Sequence, residues 1–307
     1  MSTPAEVREA ESRWARPVAV VTILAVVLFF VSNFVSQVSG TENAEVLESV
    51  HEHGGSVTAS GLLQAVALAL LTFPLVYLFR AVSARSERVR GQLIGLVIVA
   101  PLFLAVSLGL AVGVRHEAAS QFVKGEAKAT LSPKEAKEEC TSEQKDEGKK
   151  EFAEEVGPEK GETALTACER QKVEEDEASN ALSEASLAPL AGGLGLAGSL
   201  GFVVALFYTC LWAMRTGLLT RFWGALGMAA GIAFLLGPLS IVTLAWFLFF
   251  GMMLLGLARP PAWEAGEAIP WPTPGEKAAA ELEPPEEAEE PPTAEELSEK
   301  RKRKQRD

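Results

Sequence analysis

Asp, Glu, Lys, Arg and His are missing from six apolar segments, although the first four make up 22% of the 307 residues. The segments are residues 18–38, 60–79, 93–114, 190–213, 222–236 and 240–257. Proton relays, ion-coupled transporters and voltage sensors use charged residues within the membrane. Intramembrane proteases likewise need a histidine, paired aspartates or a His-Glu helix there. We therefore expect no enzymatic activity and no cofactor.

The lengths of these segments indicate transmembrane helices. The first four are each about 20 residues long, which at 1.5 Å per residue spans a hydrocarbon core of roughly 30 Å. Residues 222–258 form one uncharged stretch of 37, too long for a single span, and Gly237-Pro238 divides it because proline interrupts a helix. The sequence therefore predicts an all-α polytopic transmembrane helix bundle with six spans. A cleaved signal peptide is the competing interpretation of the first segment, but a retained helix is favoured because its apolar region exceeds 7 to 15 residues.

Arginine placement predicts the orientation of the spans, because short cytoplasmic loops carry an excess of Lys and Arg. Residues 1–17 contain three arginines, the loop after the second segment four and the loop after the fourth two, whereas residues 41–59 contain none. Six spans place these basic loops and both termini in the cytoplasm of a cell-membrane protein. The predicted parts are an N-terminus at 1–17, spans at 18–114, an external insert at 115–187, spans at 188–258 and a cytoplasmic tail at 259–307.

The insert and the tail carry most of the charge. Residues 115–186 hold 19 acidic and 11 basic residues but few apolar ones. We expect two or three solvated, partly disordered helices, the first starting at Ser132-Pro133, because so few apolar residues cannot form an independent core. Residues 260–292 contain nine prolines among many glutamates, a composition typical of extended chain. The tail is therefore predicted to be disordered.

Three cysteines without CxxC spacing exclude a zinc ribbon and a thioredoxin-like site. Cys140 and Cys168 both lie in the predicted external insert, where oxidation is permitted. A disulfide between them would staple a weak helical segment, and two free thiols are the alternative. Cys210 lies in the fourth apolar segment.

His51, His53 and His116 are the only histidines, and all three are predicted to lie on the external side. Together with Glu52 they could converge on a zinc or copper ion. Histidines in solvated loops are more often ordinary surface residues. The favoured interpretation is therefore that no metal is bound.

Residues 193–198 match the GxGxxG pattern of dinucleotide-binding turns. The match lies inside an apolar segment, with no preceding strand and no acidic residue about 20 positions later, so nucleotide binding is rejected. A spacing of four instead places small residues on helix faces, with Gly193, Ala197, Gly201 and Ala205 on one and Gly227 and Gly231 on another. Small residues let neighbouring helices approach closely. The pattern predicts helix packing, either within the bundle or between subunits.

The basic run 300–304 suits anionic lipid, at about 1 kcal/mol per residue near the surface. It has no interleaved aromatic residues, so no nucleic-acid partner is expected. The favoured hypothesis is a non-enzymatic anchoring, interaction or regulatory protein, whose partners are membrane lipids and a protein reached through the insert or the tail. The alternative is a carrier or channel for a neutral or lipid-like substrate, along a path lined by Asn33, Gln64 and Thr209.

One region carries a family resemblance. Residues 215–219 read Arg-Thr-Gly-Leu-Leu and lead into Arg-Phe-Trp-Gly-Ala-Leu-Gly at 221–227. These motifs resemble the closing helices of a family of bacterial six-span membrane proteins of unknown function, and the helices around residues 77–80 are loosely similar. The resemblance covers about half of the chain, and the insert and the tail depart from it. It implies a six-span fold in a bacterial inner membrane and implies no activity.

Overall fold

The computed structural model of the chain describes residues 3–36, 38, 42–147, 156, 163–236 and 240–271. Within these residues all regular structure is helical. The helices are α1 (Pro4–Val35), α2 (Asn43–Glu52), α3 (Gly54–Leu70), α4 (Thr72–Arg85), α5 (Ile94–Val123), α6 (Pro133–Glu147), α7 (Ala164–Glu184), α8 (Ala188–Arg215), α9 (Arg221–Phe234), α10 (Ser240–Leu254) and α11 (Ala262–Ala265). The chain divides into two units, Met1–Ile269 and Pro270–Asp307. The prediction that the tail 259–307 is disordered is wrong for residues 259–269, which include α11 and pack against the bundle with Trp263 buried. The second unit lies outside the described residues except for Pro270 and Trp271.

The start of α1 is fixed by a capping box well before the first apolar segment. The Thr3 hydroxyl accepts from the Glu6 backbone N–H, the Glu6 carboxylate accepts from the Thr3 N–H, and Pro4 takes the first helical position. Residue 18 therefore marks where α1 becomes apolar, while the helix itself begins at Pro4.

Four helical stretches among the described residues are long and apolar enough to cross a membrane. They are Pro4–Val35, Gly54–Arg85, Gly91–Val123 and Ala188–Arg215. By length and composition this is a helical membrane protein. The remaining apolar segments form α9 and α10, which have 14 and 15 residues and are each shorter than a typical span. The predicted break at Gly237-Pro238 lies outside the described residues, and the count of six spans stays a prediction.

The spanning helices pack into one bundle. In it, α5 contacts both α3 and α8, α1 contacts α3 and α10, and α9 contacts α8 and α10. The largest fully buried side chains are aromatic: Trp246, Phe79, Phe202, Phe247 and Phe250. Large apolar side chains also cover the outside, where Phe34 is 86% and Leu196 65% exposed. Water-soluble proteins seldom expose so much continuous apolar surface, so this exterior suits lipid.

The second predicted span is interrupted at Leu71, where α3 ends and α4 begins. Pro74 explains the interruption because it has no N–H to donate to the carbonyl of Leu70, and its ring clashes with that carbonyl. Pro101 lies inside α5, which continues past it without a break.

A polar layer at one end of the bundle, which we call the cap, consists of α2, the end of α5, α6 and α7. The core of the cap contains Leu47, Val50, Val57, Ala118, Ala119, Ala178 and Ala181. The expectation of solvated helices without a core is wrong for α7. This helix buries its alanines against α2, which comes from the loop after α1, and against α5. The apolar residues that the insert lacks are thus supplied by other parts of the chain.

Candidate functional site

The cap is held by carboxylates of α7 that bind backbone N–H groups elsewhere in the chain. Glu42 precedes α2 and makes no side-chain cap. Glu175 of α7 caps α2 instead, accepting from the Ala44 N–H at 3.0 Å and from the Asn43 side chain. Burial of Glu42 and the neighbouring Glu175 carboxylate raise the pKa of Glu42.

Asp176 binds backbone N–H groups of the segment that leads into α6. Its carboxylate accepts from the Leu131 N–H at 2.8 Å and from the N–H and hydroxyl of Thr130. Asn180 donates to the Lys128 carbonyl at 3.0 Å. The Leu131 N–H, reinforced by the Thr130 groups and Asn180, holds the pKa of Asp176 below its ordinary value. Two successive acids of α7 therefore each fix a different loop of the cap.

Helix α6 begins at Pro133, where the sequence predicts it. The Ser132 hydroxyl accepts from the Glu135 N–H, and the Glu135 carboxylate accepts from the Ser132 N–H and hydroxyl. These bonds lower the pKa of Glu135. They form a capping box at the start of the helix.

The structure brings Cys140 of α6 and Cys168 of α7 together in a disulfide, with sulfurs 1.99 Å apart. Both are buried, and Lys172 bonds the Glu143 carboxylate at 2.7 Å beside them. The hydrogen bond that Lys172 donates to the Glu143 carboxylate raises the pKa of Lys172. The disulfide and the ion pair join the two charged helices of the insert.

The three histidines are not brought together. Within the described residues, three or more His, Cys, Asp or Glu ligand atoms approach within 4.8 Å only at Cys140, Glu143 and Cys168. The two sulfurs of that group are bonded to each other. His116 is 2.8 Å from the Thr58 hydroxyl and packs against Gly54, whereas His51 and His53 are exposed.

The packing residues of α8 include Gly201 and Ala205 of the predicted row, together with Gly198, which lies outside it. Gly198 contacts the backbone of Leu104 and Ala100 on α5, and Gly201 contacts the Ala100 side chain. Gly193 and Ala197 are exposed, and a Cβ added to Gly193 would meet nothing within 4 Å. The predicted row is therefore corrected for its first two members, which take no part in packing within the bundle.

Gly227 and Gly231 of α9 do face neighbouring helices. A Cβ at Gly227 would lie 2.5 Å from the Cys210 sulfur and 2.8 Å from the Trp246 ring. A Cβ at Gly231 would lie 3.6 Å from the Leu206 side chain, an ordinary contact. The close packing of neighbouring helices therefore requires glycine at position 227, whereas position 231 has room for a Cβ atom.

At the end of the bundle away from the cap, a buried ion pair joins α1 to α4. The Arg85 side chain is 0% exposed and the Glu11 side chain 12%, and Nη2 of Arg85 is 2.8 Å from Oε2 of Glu11. Arg85 also donates to the carbonyls of Ala81 and Ala262. Its guanidinium lies 5.6 Å from the centre of the Trp263 ring. The pair therefore connects α1, α4 and the start of α11.

Aromatic rings complete this arrangement, which we call the Arg85 cluster (Glu11, Tyr77, Arg85 and Trp263). The Tyr77 and Trp263 rings stack with centroids 5.8 Å apart. Tyr77 donates to the Glu11 carbonyl, and the Trp263 indole donates to the Leu218 carbonyl. Sequence reasoning counted Arg85 only as one of four loop arginines and missed the cluster. The spacing of its members over more than 250 positions carries no local signal.

For two of the three residues suggested to line a neutral pathway, the side-chain hydrogen bond stays within one helix. The Thr209 hydroxyl donates to the Ala205 carbonyl and the Asn33 amide to the Phe29 carbonyl, each within its own helix. The GxGxxG match at 193–198 lies in the middle of α8. No strand precedes it in the described part of the chain, and a continuous helix cannot form the phosphate-binding turn.

Comparisons with protein-family models, with curated proteins and with solved structures return no match for this chain. The residues themselves define its class, a helical membrane protein with a polar helical cap.

Proposed function

We propose that the chain is a non-enzymatic, multi-pass protein of the cell membrane with six spans and both termini in the cytoplasm. In this proposal the cap lies outside and serves as the surface for a protein partner. The arginine-rich loops support the orientation. The bacterial six-span family that residues 212–256 resemble supports the span count and is itself part of the proposal.

The construction of the cap is the observation that carries the proposal. Its helices are fixed by a shared core, a disulfide and two carboxylate-capped loops, so its charged surface is held in a defined arrangement. The described part of the insert bears 14 acidic against 8 basic residues, and residues 42–59 add four glutamates and no Lys or Arg. A rigid acidic surface favours a partner with a basic face, through complementary charge.

The apolar segments support a role without catalysis. They contain no Asp, Glu, Lys, Arg or His, the groups with which membrane-embedded enzymes and ion-coupled carriers move protons or cut bonds. The charged groups that are fixed in the structure instead bind backbone groups and one another. In the structure these charged groups stabilise the fold, which suits an anchoring and interaction protein.

The orientation can be tested by cysteine labelling in intact cells. Ser179 is exposed on α7, and Arg88 is exposed in the loop after α4. We expect a membrane-impermeant maleimide to label Ser179→Cys in intact cells and Arg88→Cys only after permeabilisation. Cys210 is buried and serves as the internal background. The reverse pattern would refute the orientation.

The partner surface can be tested by photo-crosslinking in native membranes. We expect a photoreactive residue at position 179 of the cap to capture a protein of constant mass, with a yield that falls at high salt. The same residue at Leu196, on the exposed apolar face of α8, is the control and should not capture that protein. Equal capture from both positions, or a yield insensitive to salt, would contradict an acidic docking surface.

A further inference from the structure

An apolar groove of about 860 Å³ opens beside α1 and α4 at the end of the bundle away from the cap. Its walls include Val18 of α1, Phe73 and Val76 of α4 and Ile98 of α5. The groove lies next to the interruption between α3 and α4. Trp14 and Phe73 on its walls are 61% and 55% exposed, so two large aromatic side chains have much of their surface uncovered.

Three side chains that are charged at neutral pH line the groove, and two of them are already engaged. Glu6 accepts from the Thr3 N–H in the capping box of α1, and Glu11 is paired with buried Arg85. Arg80 is exposed, and among the described residues no carboxylate lies within ion-pair distance of it. The groove therefore offers one available cation at its edge.

The groove has the depth of part of one membrane leaflet. Phe73 lies seven residues before Arg80 on the same helix, a rise of about 10 Å, against roughly 15 Å for half of the hydrocarbon core. Trp14 and Arg80 flank the apolar segments in the sequence, at the level where tryptophan and arginine meet lipid headgroups. The cation is thus at headgroup level and the apolar walls are at acyl-chain level.

We propose that this groove binds an anionic phospholipid from the surrounding leaflet. One acyl chain lies along Val18, Phe73, Val76 and Ile98, and the phosphate pairs with Arg80. The apolar walls match a hydrocarbon chain, and the single unpaired guanidinium matches the phosphate. The Thr72 hydroxyl, buried and without a partner in the described structure, lies about 12 Å below Arg80. It is below the headgroup and takes no part in recognition.

The test uses the full chain in neutral detergent, titrated with dioleoyl-phosphatidylglycerol or dioleoyl-phosphatidylcholine and followed by native mass spectrometry. We expect the phosphatidylglycerol adduct to form at lower lipid concentration. Arg80→Gln should weaken that adduct about fivefold, the equivalent of about 1 kcal/mol for one basic residue near a membrane surface. Arg88→Gln is the matched control, because Arg88 is an exposed arginine outside the groove, and it should change nothing.

Two further variants test the apolar part of the site. Ala10→Trp fills the groove from an exposed position and should abolish the first lipid adduct, and Thr72→Val keeps the shape and should leave it unchanged. Neither Arg80 nor Ala10 is buried, so loss of the adduct would not reflect unfolding.

Several results would overturn the proposal. An adduct that survives Ala10→Trp would place the lipid elsewhere, and equal effects of Arg80→Gln and Arg88→Gln would show only general attraction to basic residues. Competition by free glycerol phosphate would identify a phosphate site in place of a lipid site. Loss of the adduct in Thr72→Val would indicate a ligand bound by a hydrogen bond at the deep end. If the variants change the abundance of dimers and not that of lipid adducts, a second copy of the chain is the occupant.

Discussion

Removing the charge of Glu11 is predicted to destabilise the protein strongly, because Arg85 would then be a buried cation without a counter-ion. The Arg85 side chain is fully inaccessible, and Glu11 is the only carboxylate within ion-pair distance of it among the described residues. Breaking a buried pair by removing one partner costs about 3–5 kcal/mol. Arg85 would keep its bonds to the Ala81 and Ala262 carbonyls. We therefore expect Glu11→Gln to cost about 3 kcal/mol, at the lower end of that range.

The paired replacement distinguishes a charge effect from a packing effect. Glu11→Leu combined with Arg85→Met removes both charges together and should cost less than Glu11→Gln alone, since apolar replacement of a buried ion pair is often close to neutral. The loss of the bond to the Ala262 carbonyl should leave a residual cost of about 1 kcal/mol. Glu9 and Arg13 form the matched exposed pair, with side chains 76% and 74% exposed, so Glu9→Gln should have no measurable effect.

Steric-trap unfolding in bicelles measures these free energies at equilibrium. The reasoning would be refuted if Glu11→Gln cost less than about 1 kcal/mol, a value typical of solvated surface pairs. A double variant less stable than the Glu11→Gln single variant would also contradict it. That result would mean that the shapes of the side chains, and not their charges, hold this end of the bundle.

Three other predictions concern the bundle and the cap. Gly198→Val should destabilise the protein by about 1–3 kcal/mol through overpacking against the α5 backbone, while Gly193→Val should be tolerated, as thermal unfolding in detergent would show. Replacing Cys140 and Cys168 by Ser should destabilise the cap by about 3.6 kcal/mol, from the loop entropy of their 28-residue separation, and limited proteolysis of α6 would detect it. The lowered pKa of Asp176 means that its contribution is complete above about pH 4 and is lost as pH falls below that value. Circular dichroism melts between pH 3 and 6 should show the loss in the parent chain and less of it in Asp176→Asn.

The apolar segments were predictable because a membrane span requires mainly a certain length and an apolar composition. A spanning helix needs about 20 apolar residues whatever it packs against, so composition alone locates α1, α5 and α8. The start of α6 at Pro133 was predictable for a similar reason, since capping depends on Ser132 and Glu135, three residues apart.

The packing face of α8 could not be read from a spacing of four. An α-helix has 3.6 residues per turn, so a strict row of every fourth residue rotates away from its neighbour within three turns. The observed contacts with α5 follow steps of four, three and three, through positions 191, 195, 198 and 201. Gly193 and Ala197 belong to the adjacent face.

The shared core of the cap could not be predicted because its residues are mostly small and lie far apart in the sequence. Ala178 and Ala181 carry little apolar signal, and α7 as a whole is highly charged. Their partners Leu47 and Val50 lie in the short helix α2, whose mostly polar composition does not indicate a buried face. The Arg85 cluster was hidden likewise, since an arginine in a short loop already has an explanation in the orientation of the spans.

The joint core has a consequence for biosynthesis. Leu47 and Val50 leave the ribosome about 130 residues before Ala181, so at 5–20 residues per second they wait roughly 7 to 26 s for the helix that covers them. During that interval the second and third apolar segments are made, and α2 still lacks its cover from α7. Disulfide formation must follow as well, because Cys168 is synthesised with α7. The cap is thus assembled late, and a chain truncated before residue 164 would lack α7 and leave α2 partly uncovered beside the membrane, as a target for quality-control proteases.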